Sequence, residues 1–228
     1  MKKLLSLGVF SLAIVFLAFQ DQAEALEQQF ADRFANPAVV SEGEAGSYNF
    51  DRAHTFIGFR VKHMGLIDVP GYLRDFTGTI TYDPKDPSRS SVNFSAKMTS
   101  IDTGIAGRDN HLRSADFFEV EKFPDLTFKS TKVEKKGDNW VVTGDLTIKE
   151  TTRSVSMPFN ITGFIPANQR SGPRMGVTAE TNINRRDFGV TYGGNVPGTE
   201  TPTIANDVKI WLQIEAIKPR EETKPAEN

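Results

Sequence analysis

The chain has 228 residues, with 27 lysines and arginines against 29 aspartates and glutamates, which gives a net charge of −2. This balance, together with the absence of any long basic run, argues against a nucleic-acid-binding protein. The sequence contains no cysteine, which excludes disulfide bonds, a thiolate nucleophile, a thiolate metal site and a lipid anchor on cysteine. A hydrophobic core must therefore hold the folded chain together, and the chain is long enough to form one.

Residues 1–25 have the order of features that is typical of a secretory signal peptide. A basic start at residues 1–3 precedes an apolar run over residues 4–19, and Ala23 and Ala25 form a small-residue cleavage motif. The apolar run is shorter than the ~20 residues of a membrane-spanning helix. We expect cleavage near Ala25 and a periplasmic or secreted mature protein, with an uncleaved anchor as the alternative.

Two further segments flank the main domain. Residues 26–46 contain Leu26, Phe30 and Phe34 at a spacing of four, which predicts a linker or one short amphipathic helix. Residues 219–228 are charged and contain two prolines, and this composition predicts a disordered tail. The folded domain should therefore span residues 47–218.

Within this domain, apolar and polar residues alternate with a period of two, which is typical of strands with one buried face. The alternation is clearest in residues 57–62, 92–99, 154–161 and 208–217, and weaker in residues 72–82, 126–133, 140–148 and 172–183. No sustained helical period links these segments, so we expect consecutive antiparallel pairing. About eight strands leave two architectures, a sandwich and a closed barrel.

Turn residues and one proline locate the connections. Lys136–Asn139 predicts a hairpin loop, and Glu150–Thr152 predicts a second short connection. Pro158 lies on the polar face of its strand and cannot donate a ladder hydrogen bond. It therefore predicts a bulge, an edge or a gap in the barrel closure close to its position, and an exposed edge there is compatible with a homodimer.

His63 is the first candidate for a binding site. It shares the parity of Ile57, Phe59 and Val61, which places it on the apolar face at the end of its strand. It is either a core histidine bonded to the backbone or a polar group in the mouth of a cavity. The spacing of His54 and His63 matches no zinc motif, so we expect no metal site.

A polar stretch around residues 108–113 is the second candidate. Asp109 and His111 resemble an acid–base pair, but residues two apart on a helix do not face each other. Asp109 and Arg113 are four apart and could form a structural ion pair. Ser114 could be the N-cap of a turn through Asp116 to Phe118, with Phe117 and Phe118 plugging one end of the core. The sequence has no nucleophile elbow, phosphate loop or dinucleotide fingerprint, so we expect no catalytic residue and no cofactor.

Several motifs occur in an order that resembles the YceI-like family of bacterial exported proteins. They are FDRAHTFIGFRVKHMG, FTGTITYDP, RDNHLRSADFF with FP and LTFKST after it, VTGDLTIKETTRSVSMPF and INRRDFG. The resemblance covers about residues 47–218. It implies an all-β fold, namely an eight-stranded antiparallel lipocalin-like barrel with short helical turns after the third strand. The segment Gly193–Ile204 is longer than the family pattern leads us to expect.

The resemblance also implies a long apolar ligand inside the barrel, such as a polyisoprenoid, an isoprenoid quinone or a fatty-acid derivative. Alternating apolar residues should line the lumen, and these are Ile57, Phe59, Val61, Phe94, Met98, Phe128, Met157 and Phe159. A polar end should be formed by His63, Arg108 and His111, although Arg108 and His111 could equally serve only to hold the rim in place.

The predicted function is therefore non-enzymatic: an exported protein that sequesters or carries this ligand. Transient membrane contact is compatible with such a role. Two alternatives remain open. One is an enzyme that modifies an isoprenoid lipid through the region of Asp109 and His111, and the other is a structural or stress-related module whose interior is a filled core.

Overall fold

The computed structural model describes residues 43–137 and 139–220. The predicted signal peptide, residues 26–42 of the predicted linker and residues 221–228 of the predicted tail lie outside the described residues. Within the described ranges there is one α-helix, α1 (Ala106–Arg113), and eleven strands. The strands are β1 (Gly46–Phe50), β2 (Phe56–His63), β3 (Ile67–Leu73), β4 (Phe76–Tyr82), β5 (Ser91–Lys97), β6 (Ile101–Asp102), β7 (Asp125–Lys136), β8 (Asn139–Ile148), β9 (Thr151–Ile165), β10 (Arg174–Asn184) and β11 (Ile204–Ile217).

These strands follow eight paths around a closed antiparallel barrel. β1 pairs with β4 on one side and with β11 on the other, which closes the ring. β1 and β2 form one path, β3 and β4 a second, and β5 and β6 a third. The pairings show this, because β2 pairs with β11 and with β3, and β3 pairs with β6. The predicted eight-stranded barrel is confirmed, and the sandwich is not formed.

Three of the eight paths are bent, which the alternation did not reveal. The sequence predicted one strand over residues 72–82, and this was wrong because pairing stops at Leu73 and resumes at Phe76. At the bend, Arg74 N donates to Ser100 O over 3.3 Å, and Lys97 N donates to Asp75 O over 2.8 Å. Backbone groups at the bend therefore stay paired, although β3 pairs with β2 before the bend and β4 pairs with β1 after it.

The proline prediction is confirmed by the ladder between β9 and β10. Its pairing runs from Arg174 opposite Ile165 to Ala179 opposite Phe159 and then ends, directly beside Pro158. The two predicted turns are also present. Lys136 pairs with Asn139 across a hairpin loop, and Ile148 pairs with Thr151, so the second turn lies at residues 149–150, slightly earlier than predicted.

The antiparallel order gives the barrel two distinct ends. The helix end carries the β2–β3 turn, the segment with α1, the β8–β9 turn and the β10–β11 loop. The opposite end, which we call the packed end, carries the β4–β5, β7–β8 and β9–β10 connections. A buried cluster occupies the packed end, and its members are Tyr48, Ile80, Tyr82, Phe164, Met175, Val177, Ile214 and Ala216.

A second buried cluster lies against the wall near α1, and its members are Ile57, Leu73, Phe76, Ala96, Met98, Ile101 and Val120. Phe117 is also buried at this end, as the prediction of a phenylalanine plug requires. Among the described residues, no helix has the length and apolarity that a membrane crossing requires.

Candidate ligand cavity

The inward faces of the strands enclose a cavity of about 790 Å³. This volume falls in the range of ~300–1,000 Å³ that is common for small-molecule sites in proteins. Most of its lining residues are apolar, and they come from the barrel strands, from α1 and the segment that follows it, and from the β10–β11 loop. The interior is therefore hollow and apolar, in contrast to the filled core of the structural alternative.

All eight residues predicted for the lumen line this cavity: Ile57, Phe59, Val61, Phe94, Met98, Phe128, Met157 and Phe159. The pairing explains why they meet. Phe94 lies opposite Phe128 on neighbouring strands, and directly opposed residues of an antiparallel pair point to the same face of the sheet. Their position is settled by this register, whereas their contact with a ligand stays a prediction.

His63, Arg108 and His111 also line the cavity, all at the helix end. His63 is the last residue of β2 and is exposed. Its side chain makes no hydrogen bond or ion pair with any described residue, so it is not a core histidine whose ring is bonded to the backbone. The structure places it as a polar group in the cavity mouth.

Arg108 projects from α1 and is held by one residue. Its Nε donates to Thr103 Oγ1 over 2.7 Å, and its Nη2 donates to Thr103 O over 2.8 Å. No carboxylate of the described residues lies within ion-pair distance of it. The polar stretch thus forms a helix, in which Arg108 is fixed in place yet keeps an uncompensated positive charge.

His111 and Asp109 do not form an acid–base pair. The carboxylate of Asp109 is buried and accepts a hydrogen bond from Thr103 N over 2.8 Å. His111 Nε2 lies 2.8 Å from Asp116 Oδ2, and its ring packs against Phe117 and Tyr192 at centroid distances of 5.0 and 4.9 Å. The two side chains have different partners, as the two-residue spacing requires.

One of two predicted local contacts was wrong. Arg113 does not pair with Asp109, because its guanidinium donates to Thr99 O, Ile101 O and Asn110 Oδ1. Ser114 ends α1 as its C-cap, and its hydroxyl donates to His111 O over 2.8 Å. Its Oγ also accepts a long hydrogen bond of 3.3 Å from Asp116 N, so Ser114 caps the following turn as predicted.

Arg185, which follows β10 at the helix end, is a further cavity residue that was not predicted from the sequence. It is only 7% exposed and lines the cavity. Its guanidinium donates to three backbone oxygens, Val190 O at 2.7 Å, Ala205 O at 3.0 Å and Ile204 O at 3.2 Å. A signal was present in the sequence, because Arg185 shares the parity of the inward-facing Ile183.

The long Gly193–Ile204 segment is ordered and forms part of the same end. An isolated bridge pairs Asn195 with Pro202, and Thr203 N donates to Gly194 O over 2.9 Å. Thr203 O accepts a hydrogen bond of 3.0 Å from Met64 N, which attaches the segment to the β2–β3 turn. The extra length therefore builds one side of the cavity mouth.

A separate cluster outside the cavity has the residue types of a metal site. Ligand atoms of Asp51, His54 and Glu215 lie within 4.8 Å of one another. Arg174 Nη1 lies 3.2 Å from Asp51 Oδ2 and also bonds Glu215 Oε1, so the guanidinium already bridges the two carboxylates. The cluster is an ion-pair network that ties the bend between β1 and β2 to β10 and β11.

Charges in this network shift the protonation of its members. A hydrogen bond from His54 is the main cause that lowers the pKa of Asp51, and the same contact raises the pKa of His54. The hydrogen bond to Glu215 raises the pKa of Arg174. The network is therefore strongest while all four groups are charged.

Comparison with known proteins identifies the fold and the family. Residues 48–216 match the model of the YceI-like domain. The protein YceI of Salmonella arizonae is 36% identical over 176 residues, which cover 76% of this chain and 88% of that protein. The crystal structure of YceI from Campylobacter jejuni has a TM-score of 0.59 at 28% identity, and the match covers 79% of this chain and 100% of that chain.

Two more distant structures share the fold. BcnA of Burkholderia cenocepacia has a TM-score of 0.62 at 22% identity and covers 73% of this chain and 98% of its own. A polyisoprenoid binding domain from Saccharophagus degradans has a TM-score of 0.55 at 13% identity and covers 77% of this chain and 100% of its own. The family model and the Salmonella relative both span most of the chain, so the chain belongs to the YceI-like family.

Proposed function

We propose that the protein binds a long-chain apolar ligand inside its barrel, such as a polyisoprenoid, an isoprenoid quinone or a fatty-acid derivative, and that it carries or sequesters this ligand after export. The observation that carries the proposal is the cavity of about 790 Å³ with its mostly apolar lining. Binding of an apolar chain in a cavity of this size is favourable, because the chain displaces water from apolar surface.

The chemistry of the lining assigns separate roles to the tail and the head of such a ligand. Burial of each CH₂ contributes ~0.8 kcal/mol, although practical efficiencies of larger ligands fall to ~0.3 kcal/mol per heavy atom. A tail of some twenty carbons therefore gains several kcal/mol, whereas an exposed ion pair contributes ~0–1 kcal/mol. The tail should supply most of the affinity, and polar residues at the helix end should orient the head.

Likeness to other proteins supports the same ligand class. The Saccharophagus degradans domain is described as polyisoprenoid binding, and its barrel has the fold of this chain. A non-enzymatic role is favoured over catalysis because Asp109 bonds Thr103 while His111 pairs with Asp116. The acid–base pair that the enzyme alternative needs is therefore not assembled.

Export and membrane contact belong to the same proposal. The signal-peptide pattern of residues 1–25 supports export. Large apolar side chains are exposed at the helix end, namely those of Met64, Leu66, Ile67, Ile105 and Tyr192. Leu66 is the most exposed of them, at 76%. Such side chains around a cavity mouth suit brief contact with a membrane that delivers or receives the lipid. A homodimer stays a prediction that light scattering in solution can test.

The decisive experiment is extraction of the native protein with organic solvent, followed by mass spectrometry of the extract. Val155 lines the cavity, and Ser154 precedes it on the opposite, exposed face of β9. We expect a long-chain lipid from the wild type and from Ser154→Trp, and less from Val155→Trp, whose indole occupies part of the cavity. Absence of lipid from the wild type, together with no binding of added long-chain ligands, would contradict the proposal.

A further inference from the structure

The charges that line the cavity are all of one sign. Five ionisable residues of the basic type contribute to the lining, and they are Lys62, His63, Arg108, His111 and Arg185. No aspartate or glutamate of the described residues does so. All five basic residues belong to the helix end, so the cavity has an apolar body and one basic end.

Nearby carboxylates neutralise only part of this basic end. Lys62 Nζ lies 3.0 Å from Asp68 Oδ1, and His111 lies beside Asp116. Neither Arg108 nor Arg185 has a carboxylate of the described residues within ion-pair distance. These two guanidiniums are therefore the cations that a ligand can neutralise.

Arg185 is the less usual of the two because it is buried. Taking a charge out of water without a counter-charge is costly, and burial lowers the pKa of Arg185, with Arg186 acting in the same direction. An arginine nevertheless stays protonated in proteins. Its three backbone acceptors satisfy three of the five guanidinium N–H groups, but carbonyl oxygens do not cancel its charge.

The other residues of the mouth connect Arg185 to α1. A Cβ placed on Gly193 would lie 3.7 Å from Arg185 Nη2, so the backbone next to Tyr192 passes close to the guanidinium. The ring of Tyr192 packs on that of His111, one turn from Arg108. Ile204, whose carbonyl accepts from Arg185, pairs with His63. The basic residues therefore surround one mouth and are not spread along the lumen.

We propose that the physiological ligand is an amphiphile with an anionic head group, a carboxylate or a phosphate, and that Arg185 anchors this group with support from Arg108. This inference rests on the proposed function, because the tail of the same ligand fills the apolar cavity. Guanidinium groups bind carboxylate and phosphate oxygens through paired, charge-assisted hydrogen bonds. An anionic head would also remove the cost of the buried charge, which a neutral head cannot do.

The test compares ligands that share a tail and differ in the head. Hexadecanoate is paired with hexadecanol, and geranylgeranyl phosphate with geranylgeraniol, in displacement of a neutral naphthylamine fluorophore from delipidated protein at neutral pH. We expect the anionic member of at least one pair to bind about tenfold more tightly. The pair with the larger ratio distinguishes a carboxylate from a phosphate as the head group.

Substitutions test which residues cause the preference for the anionic ligand. Arg185→Gln should reduce the ratio to about onefold to threefold, and Arg108→Gln should reduce it less, while Arg185→Lys should retain part of it because the charge is kept. Arg60→Gln is the matched control, since Arg60 lies over the Trp211 ring at 5.6 Å, outside the cavity. It removes one positive charge and should leave the ratio unchanged. Circular dichroism and thermal melting check that Arg185→Gln folds, and if it does not, Arg185→Lys and Arg108→Gln decide.

The outcomes separate the two proposals. If the alcohols bind as tightly as their anionic partners, the head-group inference is overturned and the proposed function stands. If none of the four ligands displaces the fluorophore, the proposed function itself fails. A preference for the anionic ligand that survives in the folded Arg185 and Arg108 variants would show that these residues do not anchor the head group.

Discussion

The two ends of this barrel are built from different kinds of residue. At the packed end, aromatic rings fill the space, with the ring centroids of Tyr82 and Phe164 5.1 Å apart and those of Tyr48 and Phe164 6.5 Å apart. Lining residues there carry hydroxyl groups, among them Thr81 and Ser91, but no charge. At the helix end, by contrast, basic side chains line the cavity and large apolar side chains are exposed.

This difference teaches how one fold combines stability with an empty interior. Burial of large rings provides the hydrophobic free energy that a chain without disulfides needs. A cavity lowers stability, because the atoms along it lose contacts that packed neighbours would supply. We interpret the packed end as the main source of stability and the helix end as the region that is free to bind.

Removal of an aromatic ring from the packed end should cause the largest loss of stability. Phe164 is 8% exposed and does not line the cavity, so Phe164→Ala should cost ~3–5 kcal/mol of the free energy of unfolding. Urea denaturation measures the loss. Ile165→Ala, at the next and half-exposed position, is the control and should cost about 1 kcal/mol or less. Equal losses in the two variants would show that the packed end is not close-packed.

A cavity-wall residue should respond differently to the same change. Phe94 lines the cavity and packs on Phe50 and Phe76 at centroid distances of 6.2 and 6.3 Å. Because one side of its ring already faces empty space, Phe94→Ala should cost less than the ~3–5 kcal/mol of a filled core, and it should mainly change ligand affinity. Asn93→Ala, on the outer face of β5, should change neither. A full-sized loss of stability with unchanged binding would contradict a role in the lumen.

The smallest expected effect concerns pH. The contact with Asp51 raises the pKa of His54 above its ordinary value of 6.5, so the stabilisation is complete below that pH and is lost as pH rises through the higher folded-state pKa. The thermal midpoint of the wild type should therefore fall slightly over this window relative to that of His54→Gln. His63→Gln, at the helix end and without a protein partner, should follow the wild type. If the thermal midpoints of the wild type and His54→Gln change in parallel with pH, the contact of His54 with Asp51 does not stabilise the fold.

Much of the architecture could be predicted because it follows from a local rule. Alternation with a period of two assigns each strand residue to one face, which is why the predicted lumen residues, from Ile57 to Phe159, all line the cavity. Pro158 located the end of a ladder for an equally local reason, since it lacks an N–H. Neither inference needed knowledge of distant parts of the chain.

The remaining features depend on contacts between distant residues. The bend at Arg74 is stabilised by Ser100, which no local pattern reveals. Arg113 had a suitable acid four residues away, yet it bonds the backbone of Thr99 and Ile101. Arg185 resembles an ordinary surface arginine beside Arg186 until the β10–β11 loop folds over it. The candidate site was therefore predicted in its apolar part and only partly in its charged part.

The closure of the ring has a consequence for how the protein folds. Phe50 of β1 pairs with Ala216 of β11, so the bond that completes the wall joins the first and last strands of the domain. Contacts between such distant residues form slowly, because the cost of closing the intervening chain comes before any gain. A chain that lacks β11 does not have a smaller cavity; it has a barrel with one wall missing and its apolar interior open to water. Pairing of the last strand is therefore the step at which this sequence becomes able to enclose the proposed ligand.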